Sequence, residues 1–256
     1  MKLREKFWLW GQTPNLHHRG DGYGLPSINK MTAFEGAMFF GIPNVCRVMM
    51  GGYPEPPFEN EAMVLDSMDK VVWGMDVNDK EIREAVVEVA NNHPNIIGAV
   101  LDDFFSDGSL AKQPPSAVRD ARELLHTCAN RPLELWSVIY CTELFENRVP
   151  YINECDVLTF WTINAKYLIN LEKNFEKLKK LAPDKPIYCG CYMWDYHRQR
   201  HIPISLMEYQ LDLYYKWLKE GKIEGVILCS NCIGDIGLDA VSFTKAWLDK
   251  HGDEEI

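Results

Sequence analysis

Short runs of β-branched and aromatic residues alternate along the chain with longer stretches whose apolar residues recur every three or four positions, and the alternation continues to the C-terminus. The apolar runs predict strands over residues 7–10, 45–50, 71–75, 97–102, 134–140, 157–161, 187–192 and 225–230. Between them the helical spacing is clearest in Ile82, Ala85, Val86, Val89 and Ala90, and again in Leu168, Leu171, Phe175, Leu178 and Leu181. Pro114-Pro115-Ser116 precedes a further stripe of Val118, Ala121, Leu124, Leu125 and Cys128, and Ala240, Phe243 and Trp247 mark the last helix. Ser205-Leu-Met-Glu208 has capping-box spacing, which predicts a helix starting at Ser205. The segment 146–155 is short and holds Pro150, so only a stub of helix fits there.

Parallel strands need long right-handed crossovers, and eight βα units at a spacing of roughly thirty residues close most simply into a barrel. The fold class expected is α/β, a single (β/α)8 TIM barrel forming one domain over residues 1–256. An open doubly wound sheet is the alternative, but no G-x-G-x-x-G or Walker loop follows the first strand.

Composition narrows the class further. The chain is 46% hydrophobic and 25% charged, with no apolar run long enough for a bilayer, so membrane-spanning and disordered classes are excluded. With 37 acidic against 27 basic residues the net charge is −10, which disfavours nucleic acid as a partner. The 8 cysteines are scattered, several inside apolar runs where a reduced thiol packs as a small hydrophobe. Charged residues lead straight into the first strand without a signal-peptide core, and together these features suggest a cytoplasmic protein.

A barrel of this kind carries its site at the C-terminal strand ends. There the chain places Trp10 and Gln12, then His17, His18, Arg19 and Asp21, after the first strand, and Trp73 and Asp76 after the third. Asp102 and Asp103 follow the fourth strand, Tyr140 and Glu143 the fifth, and Trp161 ends the sixth. Trp194, Asp195 and His197 follow the seventh, and Asn231 and Asp235 the eighth. The most informative stretch is Gly98-Ala-Val-Leu-Asp102-Asp103-Phe104-Phe105, an apolar strand that stops abruptly at two carboxylates. Strand alternation sends the two opposite ways. Asp102, in phase with Gly98 and Val100, is expected to face the barrel mouth, leaving Asp103 a supporting role at the edge of the substrate site. An ion pair or helix cap is the ordinary structural alternative for such a carboxylate.

The Gly-x-x-x-Asp-Asp-aromatic-Phe pattern resembles glycoside-hydrolase barrels whose fourth strand ends in Asp-Asp-Tyr or Asp-Asp-Phe. The resemblance implies a catalytic carboxylate at Asp102 and a carbohydrate or glycoside substrate, with no cofactor. A second carboxylate usually comes from a later strand, and here no Glu ends strands six to eight. Asp195 and Glu143 are the candidate partners, with Asp235 behind them in a glycine-flanked turn. Trp10, Trp161 and Trp194 would offer apolar platforms to sugar rings, and Gln12, His18, Tyr140 and Asn231 hydrogen bonds to hydroxyls. Each tryptophan could equally be core material, so that inference rests on the set.

Three other classes compete. A metal-dependent sugar isomerase, epimerase or hydrolase would draw ligands from His17, His18, Asp76, Asp102 and His197, although no H-x-H signature is present. Cys189-x-Cys191 with Cys229-x-x-Cys232 superficially matches a zinc site, but the first pair falls inside a predicted strand and not a knuckle turn. Cys141 or Cys232 could act as a nucleophile only in an electropositive setting. A non-catalytic sugar-binding barrel would keep the aromatics without a paired acid and base. The basic cluster His197-Arg198-Gln-Arg200-His201 suits an anionic substrate group or, more simply, a solvated loop. Substrate recognition is assigned to the loops 11–27 and 194–203, the longest and most polar.

Overall fold

Each apolar run becomes a strand in the computed structural model, which describes residues 1–18 and 22–256. The strands are β1 Phe7–Gly11, β2 Asn44–Arg47, β3 Lys70–Gly74, β4 Ile96–Leu101, β5 Glu134–Tyr140, β6 Val157–Trp161, β7 Ile187–Tyr192 and β8 Gly225–Cys229. All are parallel, and they close in sequence order with β8 back against β1, so the fold is the (β/α)8 barrel that the periodicity predicts. The helices are α1 Ala33–Phe40, α2 Glu59–Val64, α3 Lys80–Asn92, α4 Asp107–Leu110, α5 Pro115–Thr127, α6 Val149–Ile152, α7 Leu171–Leu181, α8 Ile204–Lys219 and α9 Asp239–His251. Arg19, Gly20 and Asp21, part of the first proposed recognition loop, lie outside the described residues.

Local chemistry sets the boundaries. Thr32 and Glu35 form a reciprocal capping box on α1, and Gly41 ends that helix in the left-handed region at φ 66°. Pro115 occupies the first turn of α5, and α6 is the four-residue stub expected around Pro150. The capping box predicted at Ser205 does not form. Pro203 is the N-cap of α8, the helix begins one residue earlier at Ile204, and the Ser205 hydroxyl is therefore past the cap position. β2 also stops sooner than its apolar run. Its partner β1 ends at Gly11, so after Val48 donates to the Gly11 carbonyl at 2.8 Å the chain turns through Gly51 and Gly52.

The register divides each strand into inward and outward sets, and the inward set explains where the site lies. Trp8 pairs in register with Ile227, Val138 with Thr159 and Tyr140 with Trp161, so neighbouring inward residues form layers around the barrel. Trp8, Trp136 and Tyr188 fill the lower interior, with ring centroids 4.3–5.8 Å apart. Outward residues pack on the helices, as Phe7 does on Trp247 and Trp73 on Phe58. The lower plug makes the barrel a packed core and not a pore, and the mouth lies above it. No helix among the described residues is long and apolar enough to cross a membrane.

Candidate active site

Above the plug, the last inward residues surround a cavity of about 140 Å³ at the C-terminal mouth. Trp10 of β1, Tyr140 of β5, Trp161 of β6, Tyr192 of β7 and Cys229 of β8 form its wall, and Asp102 and Asp103 enter it from the end of β4. The wall is nearly continuous aromatic surface. Trp10 meets Trp161 edge-on at 5.0 Å, Trp161 meets Tyr192 at 5.0 Å, and Tyr192 meets Tyr196 at 5.3 Å. His17 and Tyr23 close the circuit against Tyr196. Gly190 makes this possible: a Cβ there would lie 1.9 Å from Trp161 Cε3, so only glycine lets the indole lie flat across β7. The Trp161 Nε1 donates to Thr159 Oγ1 at 2.8 Å, which fixes the ring.

Both carboxylates of the Asp-Asp pair reach the mouth, where strand alternation predicts only one. β4 ends at Leu101, and Asp103 takes a left-handed conformation at φ 48°, so the alternation of an extended strand no longer applies when the second carboxylate is placed. Asp103 Oδ1 accepts from the Tyr140 hydroxyl at 2.7 Å, and that hydroxyl lies 3.3 Å from the hydroxyl of Tyr192. Asp102 is open to the cavity by accessible surface yet withdrawn from bulk water by the protein around it. The second property governs its proton affinity. Burial first, and the charge of Asp103 second, push its carboxyl up to about 8, against a smaller opposing effect of the Asp103 backbone amide. The described residues lining this mouth include no lysine or arginine to offset that effect.

Gln12 and His17 form the opposite rim. His17 Nε2 bonds to Gln12 Oε1, an acceptor, so the imidazole carries its proton on Nε2 and its Nδ1 accepts from the Tyr196 hydroxyl at 3.0 Å. Burial, with His18 adding to it, lowers the His17 pKa to about 3 and keeps the ring neutral.

The remaining predicted residues are not brought to this cavity. Asp195 is fully buried beside the loop 195–200, where Oδ1 accepts from the Arg198 amide at 3.1 Å and Oδ2 lies 3.7 Å from Arg200 Nε. Glu143 Oε2 accepts from the Tyr140 amide at 2.9 Å, and burial raises its pKa behind the mouth. Trp194 turns its Nε1 to the Tyr23 carbonyl at 3.0 Å. Asn231 is buried and bound to Gln12 and Met31, Asp235 is bound to Asn29, Lys30 and Met31, and His18 stands outside the lining. Tyr192, Tyr196 and Tyr23 are lining residues that the sequence did not put forward for the site, and His17, put forward there only as a metal ligand, is part of the wall. Counting by two from Gly190 along β7 reaches Tyr192, so period-two phase was the available signal for that residue.

The other chemistries find less support in the geometry. Among the described residues no group of three His, Cys, Asp or Glu side chains converges as metal ligands would. Cys191 faces Gln210 of α8 while Cys229 faces the mouth, so the cysteine pairs do not meet. Burial raises the thiol pKa of Cys141 and of Cys232, the latter to about 11, the reverse of what a nucleophile needs.

No family model and no curated protein matches the chain. Solved structures do match in fold. They include active domain 2 of the thermostable chitinase of Pyrococcus furiosus, with a TM-score of 0.61 at 12% identity over 98% of this chain and 97% of the other. The GH99 endo-α-mannosidase of Bacteroides thetaiotaomicron gives 0.57 at 11% over 96% and 97%. A probable 2-pyrone-4,6-dicarboxylic acid hydrolase of Acinetobacter baumannii gives 0.59 at 11% over 96% and 91%. The chain therefore has the TIM-barrel architecture of several glycoside hydrolases, and at these identities the likeness is one of fold.

Proposed function

We propose that the protein is a glycoside hydrolase in which Asp102 protonates the departing glycosidic oxygen, Asp103 supplies the negative charge facing the developing oxocarbenium centre, and water then adds to that centre and returns its proton to Asp102. The observation that carries this reading is the pair itself. Two carboxylates share one aromatic mouth, where burial and the neighbouring carboxylate hold Asp102 at high proton affinity and Tyr140 holds Asp103 by a hydrogen bond. Asp103 thus takes the partner role that the sequence assigned to Asp195 or Glu143, both of which are bound elsewhere. Trp10 and Trp161, packed against each other and almost wholly buried, back the mouth with apolar surface, and the polar atoms of Asp102, Asp103 and Tyr140 face the same opening. The barrel architecture shared with the chitinase and the endo-α-mannosidase supports the class of reaction.

The test is a panel of aryl and alkyl glycosides with and without a chelator. Activity should survive chelation. Asp102→Asn should lower kcat by about 10²–10⁴ on alkyl glycosides, whose leaving oxygen needs a proton, and by far less on dinitrophenyl glycosides, whose leaving group does not. Equal losses on both, or none, would remove Asp102 from the acid role.

A further inference from the structure

The mouth and the cleft beside it are built by different parts of the barrel. The mouth, about 140 Å³, draws most of its wall from β1, from β5 to β8 and from the loops after β1 and β7. A cleft of about 710 Å³ lies between the segments that follow β2, β3 and β4. Sites that hold drug-sized ligands run to about 300–1,000 Å³. The cleft falls in that range and the mouth below it, with room for a single small ring. Asp102 borders both spaces, while Asp103 and its hydrogen-bond partner Tyr140 border the mouth alone.

The far side of the mouth is barred. Tyr23, in the loop after β1, stands edge-on to His17 and to Tyr196 of the loop after β7, with ring centroids 5.5 and 5.2 Å apart, and the Tyr196 hydroxyl donates to His17 Nδ1 at 3.0 Å. Trp194 pins this bar from behind, its Nε1 donating to the Tyr23 carbonyl at 3.0 Å. Gly24, at φ 64°, passes so near the loop 195–200 that a Cβ on it would lie 2.8 Å from Gln199 Cβ. That loop is itself held by the buried Asp195, whose amide donates to the Arg200 carbonyl at 3.0 Å. In a ring of eight strands β7 stands opposite β3, so the bar lies across the mouth from the cleft.

Glycosidic chemistry assigns a side to each space. An acid that protonates the leaving oxygen must reach the leaving group, whereas the charge facing the anomeric carbon belongs with the ring being released. We propose that the bar of His17, Tyr23 and Tyr196 limits the mouth to one terminal sugar ring, so that the enzyme is exo-acting: it releases a single ring from the non-reducing end while the rest of the glycoside lies in the cleft beyond Asp102. The proposal rests on the reading of Asp102 as the acid and Asp103 as its partner. A saccharide continuing past the bound ring would have to pass through the bar.

Reducing-end-labelled trisaccharides of the α- and β-linked gluco, galacto and manno series test this on the whole chain, alongside the 4-nitrophenyl monoglycosides. Each trisaccharide is supplied with its non-reducing end free and with O4 and O6 of that end tied in a benzylidene acetal. Wild type should shorten the free set one ring at a time, so that labelled disaccharide precedes labelled monosaccharide, and should cut the capped set about a hundredfold more slowly or not at all. Tyr23→Ala opens the bar and should narrow that gap by about tenfold or more. Tyr23→Phe keeps the ring edge and should leave the gap as in wild type. Tyr23 is exposed, so both variants should keep an unfolding midpoint near that of wild type. Capped and free sets cut at equal rates, or labelled monosaccharide appearing first, would overturn the exo proposal and leave the hydrolase reading standing. A gap unchanged in Tyr23→Ala would overturn the bar as its cause. No cleavage of any glycoside, the monoglycosides included, would overturn the hydrolase reading and the exo proposal with it.

Discussion

Two clusters of polar residues stand at the C-terminal end of the same barrel, and they differ in whether their hydrogen-bonding capacity is already consumed. At the seam between β1 and β8, Asn231 accepts from the Gln12 amide at 2.8 Å and donates to the Gln12 and Met31 carbonyls at 3.0 and 2.7 Å. Asn29 donates to the Asn231 carbonyl and to Asp235, whose second oxygen accepts from the Lys30 and Met31 amides. Every one of these side chains is bound inward, and the cluster locks two loops together. At the mouth between β4 and β7, two carboxylates converge on open space, one of them held at high proton affinity. Polar residues at strand ends therefore do not identify a site on their own; convergence without mutual satisfaction does.

The difference can be broken first at the seam. Asn231→Leu removes three hydrogen bonds and strands the buried Gln12 amide, so it should cost about 3–5 kcal/mol in urea unfolding. A midpoint unchanged from wild type would mean that the seam does not anchor the loops. At the mouth the same kind of change should act on rate more than on stability. Tyr140→Phe keeps the ring but removes the hydroxyl donor to Asp103, which should lower kcat by about tenfold and move the unfolding midpoint less than Asn231→Leu does, since one hydrogen bond is lost and not three. A loss of stability without a loss of rate would assign Tyr140 to packing.

That same contrast explains what was legible in the sequence. Continuous apolar runs place all the strands to within a few residues, because inward and outward faces both need burial in a barrel. Within those runs Asp102, Trp10 and Trp161 are legible by phase: each falls in step with inward residues of its own strand. Phase fails one residue later, where Asp103 leaves the extended region and rotates into the mouth. It also could not decide between Trp194 and Tyr196, since the chain has left β7 by then and their orientation depends on the bridge between Asp195 and Arg200. Asn231 and Asp235 are polar, close to a strand end and fully engaged, and only three-dimensional partners distinguish them from ligand-binding groups.

The effect that separates the two regions without substrate is the dependence of stability on pH. A carboxyl group in the unfolded chain titrates near 4, whereas Asp102 in the folded protein is held up to about 8 by burial and by Asp103. Between those values the folded state carries a proton that the unfolded state has lost, so stability must fall as pH rises through the window and level off above it. Glu143, also raised by burial, adds a contribution of the same sign. Asp102→Asn should therefore flatten the slope of the unfolding midpoint against pH without abolishing it, and should raise the midpoint most at the alkaline end. An equal slope in wild type and variant would show that Asp102 ionises normally in the folded protein, and the acid role at the mouth would lose its electrostatic basis.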